Sequence, residues 1–398
     1  MISLERRIDV TNRHAFIAPI ASIVAAIVII TIVLLATGLD PVSTYRQIVN
    51  VSVGDPSSIS ATLLNATPLL FTGLAAAVAF RMKAWNIGGE GQLYVGAIAA
   101  AAIGLLIGGS APTLVTLLAM VAGGALVGGL WALLPAFLRV RFQTNEIITT
   151  LMLNYLGGLL LYYLIFDSHS YWRDTSSAGA VYPQGKTLDL AANWPTLTLG
   201  QIAIPFGLLL GVILAAALTV TLRMTKFGFR MRVIADSPVA GRYAGIGTGR
   251  MFLAVMVISG ALAGLAGASQ VGDFAHTLDP KALQAPTYGY TGIVVGALAR
   301  YSPGGVVLMS LLLGALVHAG FELQGPHFPL GLVGTTEGVL LFCVIGAEFL
   351  HRYRVRVRLP RSPLAAEERD RAAVSAAAPA PARSASRYSV VRPEESEA

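Results

Sequence analysis

Two short polar segments interrupt an otherwise apolar chain, and they hold the side chains best suited to chemistry. The first is Phe80-Arg81-Met82-Lys83-Ala84-Trp85-Asn86-Ile87-Gly88-Gly89-Glu90-Gly91-Gln92, a basic anchor leading into a glycine-rich turn. Polar side chains that enter a membrane segment face protein or a water-filled cavity, and glycines admit backbone torsions that other residues resist. The segment therefore reads either as a pathway or gate element carried by Asn86, Gly88, Gly89, Glu90 and Gln92, or as a helix start. In the second reading Asn86 caps the helix and Glu90 complements its N-terminal dipole. The other segment is Thr144-Asn145-Glu146-Ile147-Ile148-Thr149-Thr150-Leu151-Met152-Leu153-Asn154-Tyr155. Thr144 or Asn145 suits a cap, and Asn154 lies deeper, where an amide needs a partner on another helix.

Catalytic and nucleotide-binding signals fail on inspection. Gly185-Lys186-Thr187, with Gly179 upstream, approaches a phosphate-binding loop, but five residues separate the glycines and the motif requires four, between a strand and a helix. No metalloprotease or nucleophile-elbow pattern occurs. The single cysteine, Cys343, excludes a disulfide framework and a cysteine-based zinc site. The expectation is a chain that is not an enzyme, binds no metal and holds no cofactor.

The elements that must position these residues are helices in a bilayer. Of 398 residues, 55% are hydrophobic and 12% charged, about half the charge of a soluble domain. Apolar runs at about 16–37, 60–80, 90–109, 113–138, 147–166, 202–222, 251–271, 288–299, 305–322 and 330–350 mostly match the ~20 residues of a spanning helix. The run at 288–299 is too short to cross straight and reads as broken or re-entrant. The fold class is an all-α membrane protein, a polytopic bundle of about ten transmembrane helices with short broken or re-entrant segments. Domains are a cytoplasmic N-terminus (1–15), a membrane domain (16–350), and a tail (351–398) that is basic, then disordered. The first run is too long for a signal-peptide core and reads as a retained helix.

The net charge of +7 sits in short connections, as in an oriented membrane protein, and gives no reason to invoke nucleic acid. With the N-terminus inside, nineteen lysines and arginines up to Arg361 fall on inner segments, and only Arg46, Arg173, Lys186 and Lys281 on outer ones. Both termini are then cytoplasmic, the loop 167–200 faces outward and the loop 223–250 faces inward. Gly124-x-x-x-Gly128 and Gly260-x-x-x-Gly264 suit close helix contacts. Tyr155, Tyr162, Tyr163, Phe166, Tyr171 and Trp172 fit either an aromatic belt or a stacking surface for a base or sugar ring. In the inner loop Ser237 suits a cap, Pro238 the first helical position and Gly245 the end. Such a short helix would serve a soluble partner, or rest on anionic lipid.

At these residues the chain resembles the permease subunits of bacterial ABC importers in the branched-chain amino acid, ribose and nucleoside group. Within that group it looks most like the longer nucleoside-type permease. The resemblance is carried by NIGGEGQLYVGA (86–97), NEIITTLMLNY (145–155), FGFRMRVIADSPVAGRYAGI (227–246) and YGYTGIVVGALARYSPGG (288–305). The chain has Ala235-Asp236-Ser237-Pro238 where members of the group often show Gly-x-Asn-Pro. The resemblance implies a pathway shared with a second permease subunit in a plasma (inner) membrane. It also implies an extracytoplasmic substrate-binding protein and a cytoplasmic ATP-binding subunit that performs the hydrolysis. Asn86, Gly88, Gly89, Glu90, Gln92, Asn154, Tyr288 and Tyr290 become candidates for pathway or gate. Arg232, Asp236, Ser237, Pro238, Ala240, Arg242, Tyr243 and Gly245 become candidates for coupling to the ATPase. A simple-sugar permease is the nearest alternative. An ion-coupled secondary transporter is a further one, and its main acidic candidates would be Glu90, Glu146 and Glu337; the first two read as lying near cytoplasmic helix ends, which counts against it.

Overall fold

Proline and acidic caps decide where the first helices begin. The computed structural model describes residues 2–6, 12–167, 170–176, 183–324, 331, 334–336, 338–343, 346 and 353–357. Glu337, Gly179, most of the run 330–350 and the tail expected to be disordered lie outside them. In chain order come β1 (Ile2–Arg6), α1 (Asn12–Ala36), α2 (Pro41–Val53) and α3 (Pro56–Arg81). Asp40 caps α2 through the Ser43 N–H and Asp55 caps α3 through the Ser58 N–H, each just before a proline. The Ser57 hydroxyl and the Ser58 N–H and hydroxyl hold the exposed Asp55 carboxyl down at about 2. The sequence reading left 38–59 as a connection. The structure turns the chain by 117° between α1 and α2, and Ser52 Oγ donates to Ala315 O.

Next are α4 (Gly89–Ile107), α5 (Thr113–Phe142) and α6 (Glu146–Phe166), then the hairpin β2 (Thr196–Leu199) and β3 (Ile202–Pro205). The apolar run expected to start a helix at 202 spends its first residues in that hairpin. The alternation Thr-Leu-Thr-Leu, a turn at Gly200 (φ +63°) and Pro205 favour a strand pair until α7 (Phe206–Met224) begins. Then come α8 (Lys226–Asp236), α9 (Pro238–Tyr243) and α10 (Thr248–Ser269), which runs on as a π-turn over Gln270–Ala275. The last are α11 (Pro280–Gln284), α12 (Tyr288–Leu298), α13 (Pro303–Glu322) and β4 (Tyr353–Val357).

Seven helices among the described residues are long and apolar enough to cross a membrane, and the bent α1–α2 pair makes eight. With the short α12 and the run 330–350 this accounts for the ten apolar runs. At 11 residues, α12 is ~16 Å long, about half a hydrocarbon core.

Residues 1–10 and 350–398 form a unit of their own. Within it β1 and β4 pair antiparallel, Glu5 opposite Arg354; the apolar–basic alternation of Tyr353-Arg354-Val355-Arg356-Val357 suits a strand. The all-helical reading did not anticipate this pair.

Residues 11–349 form the other unit. Its centre is built by glycine: a Cβ on Gly128 of α5 would stand 2.5 Å from Gly260 O and 2.7 Å from Gly264 Cα of α10. Gly96 of α4 abuts Gly264 as well. Three helices thus touch backbone to backbone, as small-residue spacing allows in lipid.

Candidate translocation site

After α3 ends at Arg81 the chain does not begin a new helix. Met82 and Lys83, the latter left-handed at φ +59°, turn the chain off α3, and 84–87 follow without regular structure; Met82, Ala84, Asn86 and Gly88 are buried, and Lys83 and Trp85 are exposed. The segment doubles back along the bundle. Asn86 Nδ2 donates to Ser259 Oγ in the middle of α10 (2.9 Å), and Ser259 Oγ donates to Ala75 O of α3 (2.8 Å). Asn86 and Gln92 exchange two amide bonds of 2.9 Å. Asn86 was read as a possible cap, but the N-cap of α4 is Gly88, and Asn86 Oδ1 accepts from the Gly88 N–H (3.1 Å). Only then does α4 start, buried inside the protein.

The opposing arm is α12. It runs parallel to α3: Tyr288 Oη donates to Asn65 Oδ1 (3.0 Å), Gly292 abuts Thr72, and the Tyr301 ring meets that of Phe80. The first turns of α4 and α12 meet where Glu90 Oε2 accepts from the Gly289 N–H (2.6 Å). From this junction the helices diverge, α4 along α10 and α12 along α3. Thr72, beside Gly292, lies near the middle of the 26-residue α3. The full-length α4 and the half-length α12 therefore both present their N-terminal partial charges to one buried carboxylate, which is the favourable sign of interaction. Glu90 Oε1 also accepts from the Tyr94 hydroxyl (2.6 Å).

This position corrects an expectation. Glu90 was read as near a cytoplasmic helix end; it is 2% exposed and packed in the interior. Its place therefore no longer argues against ion coupling. Glu146 does lie at a helix start, paired with Arg139 at 3.2 Å, and Asn145 caps α6 through the Ile147 N–H. Asn154, eight residues or ~12 Å further along α6, braces the junction. Its Oδ1 accepts from the Gly91 N–H (2.8 Å), and its Nδ2 donates to Ile87 O (2.9 Å) and Tyr290 Oη (3.1 Å).

Beside the junction lies a cavity of about 240 Å³. Glu90, Asn154 and Tyr290 line it, and so do Tyr94, Tyr155, Tyr162 and Gln284. Gln284 Nε2 is buried with no hydrogen bond among the described residues. Asn86, Gly88, Gly89, Gln92 and Tyr288 are not among the lining residues; they hold the backbone behind it. Sequence reading missed Tyr94 and Gln284. The spacing Asn154, Tyr155, Gly158, Tyr162 on one α6 face was the available signal for the rest, and Glu90–Tyr94 is an i, i+4 pair.

The second candidate region lies apart. Ser237 Oγ accepts from the Ala240 N–H (3.2 Å), Pro238 opens α9, and Gly245 (φ +71°) follows its end. Met231, Ile234 and Gly241 face the protein, while Arg232, Asp236, Pro238, Ala240, Arg242 and Tyr243 are exposed. Gly185-Lys186-Thr187 begins no helix. The Gly185 N–H donates to Leu278 O, and the Lys186 ammonium sits 3.8 Å from the Tyr171 ring centre.

Comparison with known proteins agrees with this architecture. The chain is 29% identical to the glucose ABC transporter permease protein of Haloferax volcanii over 371 residues, spanning 90% of this chain and 95% of that one. It is 28% identical to the nucleoside ABC transporter permease protein of Lactococcus lactis (87% and 93% covered). It is 30% identical to the guanosine ABC transporter permease protein of Bacillus subtilis (75% and 84% covered). The family described as the branched-chain amino acid transport system permease component matches residues 58–344. That is well over half of the sequence and includes every residue of the Glu90 junction, so the chain belongs to this permease family and is a multi-pass membrane permease subunit of an ABC importer.

Proposed function

We infer that the cavity beside Glu90 lies on the translocation pathway and that the solute is a nucleoside. One observation carries the reading: a carboxylate and an amide are held where the first turns of α4 and the short α12 meet, beside a wall of tyrosines. A tyrosine face suits a nucleobase, while Glu90, Asn154 and Gln284 suit ribose hydroxyls and ring nitrogens. Helix N-termini that begin inside a bundle and point at one polar site are a recurring form of transporter binding site. The names of the Lactococcus and Bacillus relatives support nucleosides. That of the Haloferax relative supports a simple sugar as the second reading.

The cavity also bears on partners. Tyr155 is 65% exposed and Tyr162 42%, so the polar wall opens on a flank of α6. A carboxylate pocket facing lipid is costly, which supports a second permease subunit closing it. The basic bias of the loops supports a cytoplasmic position for α8, α9 and both termini. There the exposed face from Arg232 to Gly245 receives an ATP-binding subunit, which supplies the hydrolysis; this chain uses no cofactor. The connection 167–205 faces outward and meets an extracytoplasmic substrate-binding protein.

Uptake of labelled nucleosides and sugars by the reconstituted complex tests the substrate. Tyr155→Ala should lower nucleoside uptake with the complex intact; an unaltered rate would remove the cavity from the pathway. Ala240→Arg should lower ATP hydrolysis and uptake together, and a cysteine at Val239 should crosslink to the ATPase.

A further inference from the structure

A second cavity, of about 680 Å³, lies between α8, the link 244–247 and the first turns of α10. Lys226, Arg230 and Arg250 line it, and no acidic residue does. The three cations are exposed and make no ion pair among the described residues. Gly247 gives the start of the 22-residue α10 no side-chain cap, which leaves its first N–H groups facing the same space. The rest of the lining is mostly apolar, with Phe227, Phe229, Ile246, Met251 and Ala254. Ala254 is six residues into α10, so the cavity follows that helix for ~9 Å.

We propose that this cavity binds one class of ligand, an anionic phospholipid of the leaflet on the α8–α9 side. Its phosphate lies among Lys226, Arg230, Arg250 and the α10 N-terminus, and its first methylenes lie against Phe227, Met251 and Ala254. The combination of three cations with an apolar lining selects the occupant. A soluble anion has nothing to place on Met251 and Ala254. An acidic loop of a protein partner would leave the apolar lining uncovered. Basic pockets between helices at a membrane surface recognise phospholipid head groups by this charge pattern, and helix N-termini accept phosphate oxygens. The bound lipid would wedge α8 against α10, setting the stance of the segment proposed to meet the ATPase. The proposal stands without that coupling reading, because its test measures lipid alone.

The experiment is native mass spectrometry of the purified full chain titrated with phosphatidylglycerol or phosphatidylcholine. Phosphatidylglycerol should be retained at concentrations where phosphatidylcholine is not. Replacing the cations together (Lys226→Gln, Arg230→Gln, Arg250→Gln) should raise the midpoint for phosphatidylglycerol by about tenfold or more, given the usual contribution of each basic residue at an anionic surface. Ala254→Trp keeps the cations and fills the space along the apolar lining, so it should produce a similar loss and covers the case of a triple variant that does not fold. Inorganic phosphate in large excess should not displace the lipid. Equal retention of both lipids, unchanged retention in both variants, or full displacement by phosphate would each overturn the proposal. A triple variant that keeps its lipid but no longer holds the ATPase would assign the face to that partner instead.

Discussion

The chain breaks its helical regularity inside the bundle in two ways, and the breaks are finished differently. At the Glu90 junction the polar side chains are paired: Asn86 with Gln92 and Ser259, Asn154 with Ile87, Gly91 and Tyr290, Glu90 with Tyr94 and Gly289. At the π-turn 270–275 the long connection closes over the end of α10. There Trp194 N donates to Gly272 O and Leu188 N to His276 O. Yet Asn193 Oδ1, Trp194 Nε1, Asp273 Oδ1 and His276 Nδ1 are buried without a hydrogen bond among the described residues. A fully satisfied network specifies one arrangement, whereas a partly satisfied one leaves alternatives close in energy. The junction is thus the more fully specified of the two, and the clasp at the π-turn leaves four buried polar atoms unpaired among the described residues. π-turns inside helices often mark functional places.

Four substitutions test this contrast. Gly289→Val should have the largest effect, because a Cβ there would meet the Glu90 carboxylate and backbone; overpacking of this kind costs about 1–3 kcal/mol or more. Thermal melting of the purified chain should fall and uptake should be lost, and a variant with normal melting would mean the two first turns are not in contact. Asn154→Ala strands the Gly91 N–H and Ile87 O, at about 1–3 kcal/mol for unpaired buried groups, and should also lower the melting temperature. Glu90→Gln keeps the shape and removes the charge that the N-termini of α4 and α12 face. Assembly should survive while uptake drops roughly tenfold, since bonds to a charged group are worth about 1.5–3 kcal/mol. Asp273→Asn makes the parallel change at the clasp. One oxygen still accepts from the Gly207 N–H, bonded at 3.0 Å, and the other had no partner to lose, so melting should shift by less than about 1 kcal/mol equivalent. Equal effects of Glu90→Gln and Asp273→Asn would erase the distinction.

Much of the frame was legible because its signals are local. Gly124, Gly128, Gly260 and Gly264 announced a close helix contact, and Ser237, Pro238 and Gly245 bracketed α9 as their torsional preferences require. The shortness of the run 288–299 alone betrayed a half-helix. What stayed hidden depends on tertiary position. Asn86 looks like a cap because it precedes a helix, and only the return of 82–88 into the bundle gives its amide to Ser259 and Gln92. Glu90 follows a basic anchor, so charge counting set it near a surface; the turn at Lys83 and the irregular link 84–87 carry it inward instead. Tyr155 and Tyr162 suit an interfacial belt and a cavity wall alike, and no periodicity separates the two. The strands at 2–6 and 353–357 pair across the length of the chain, beyond any local window.

The half-length of α12 also constrains how the protein is made. An eleven-residue helix offers too little apolar length to hold itself across a bilayer as it leaves the ribosome. Its seat, the groove of α3 beside Asn65 and Thr72 with Glu90 at one end, is encoded some two hundred residues earlier and so is already in the membrane when Tyr288 is synthesised. Biogenesis of this permease therefore requires the first half of the bundle to stand as a template into which the second half is threaded. Exchange of the two halves in gene order should give a protein whose spanning helices insert but whose α12 is left in water.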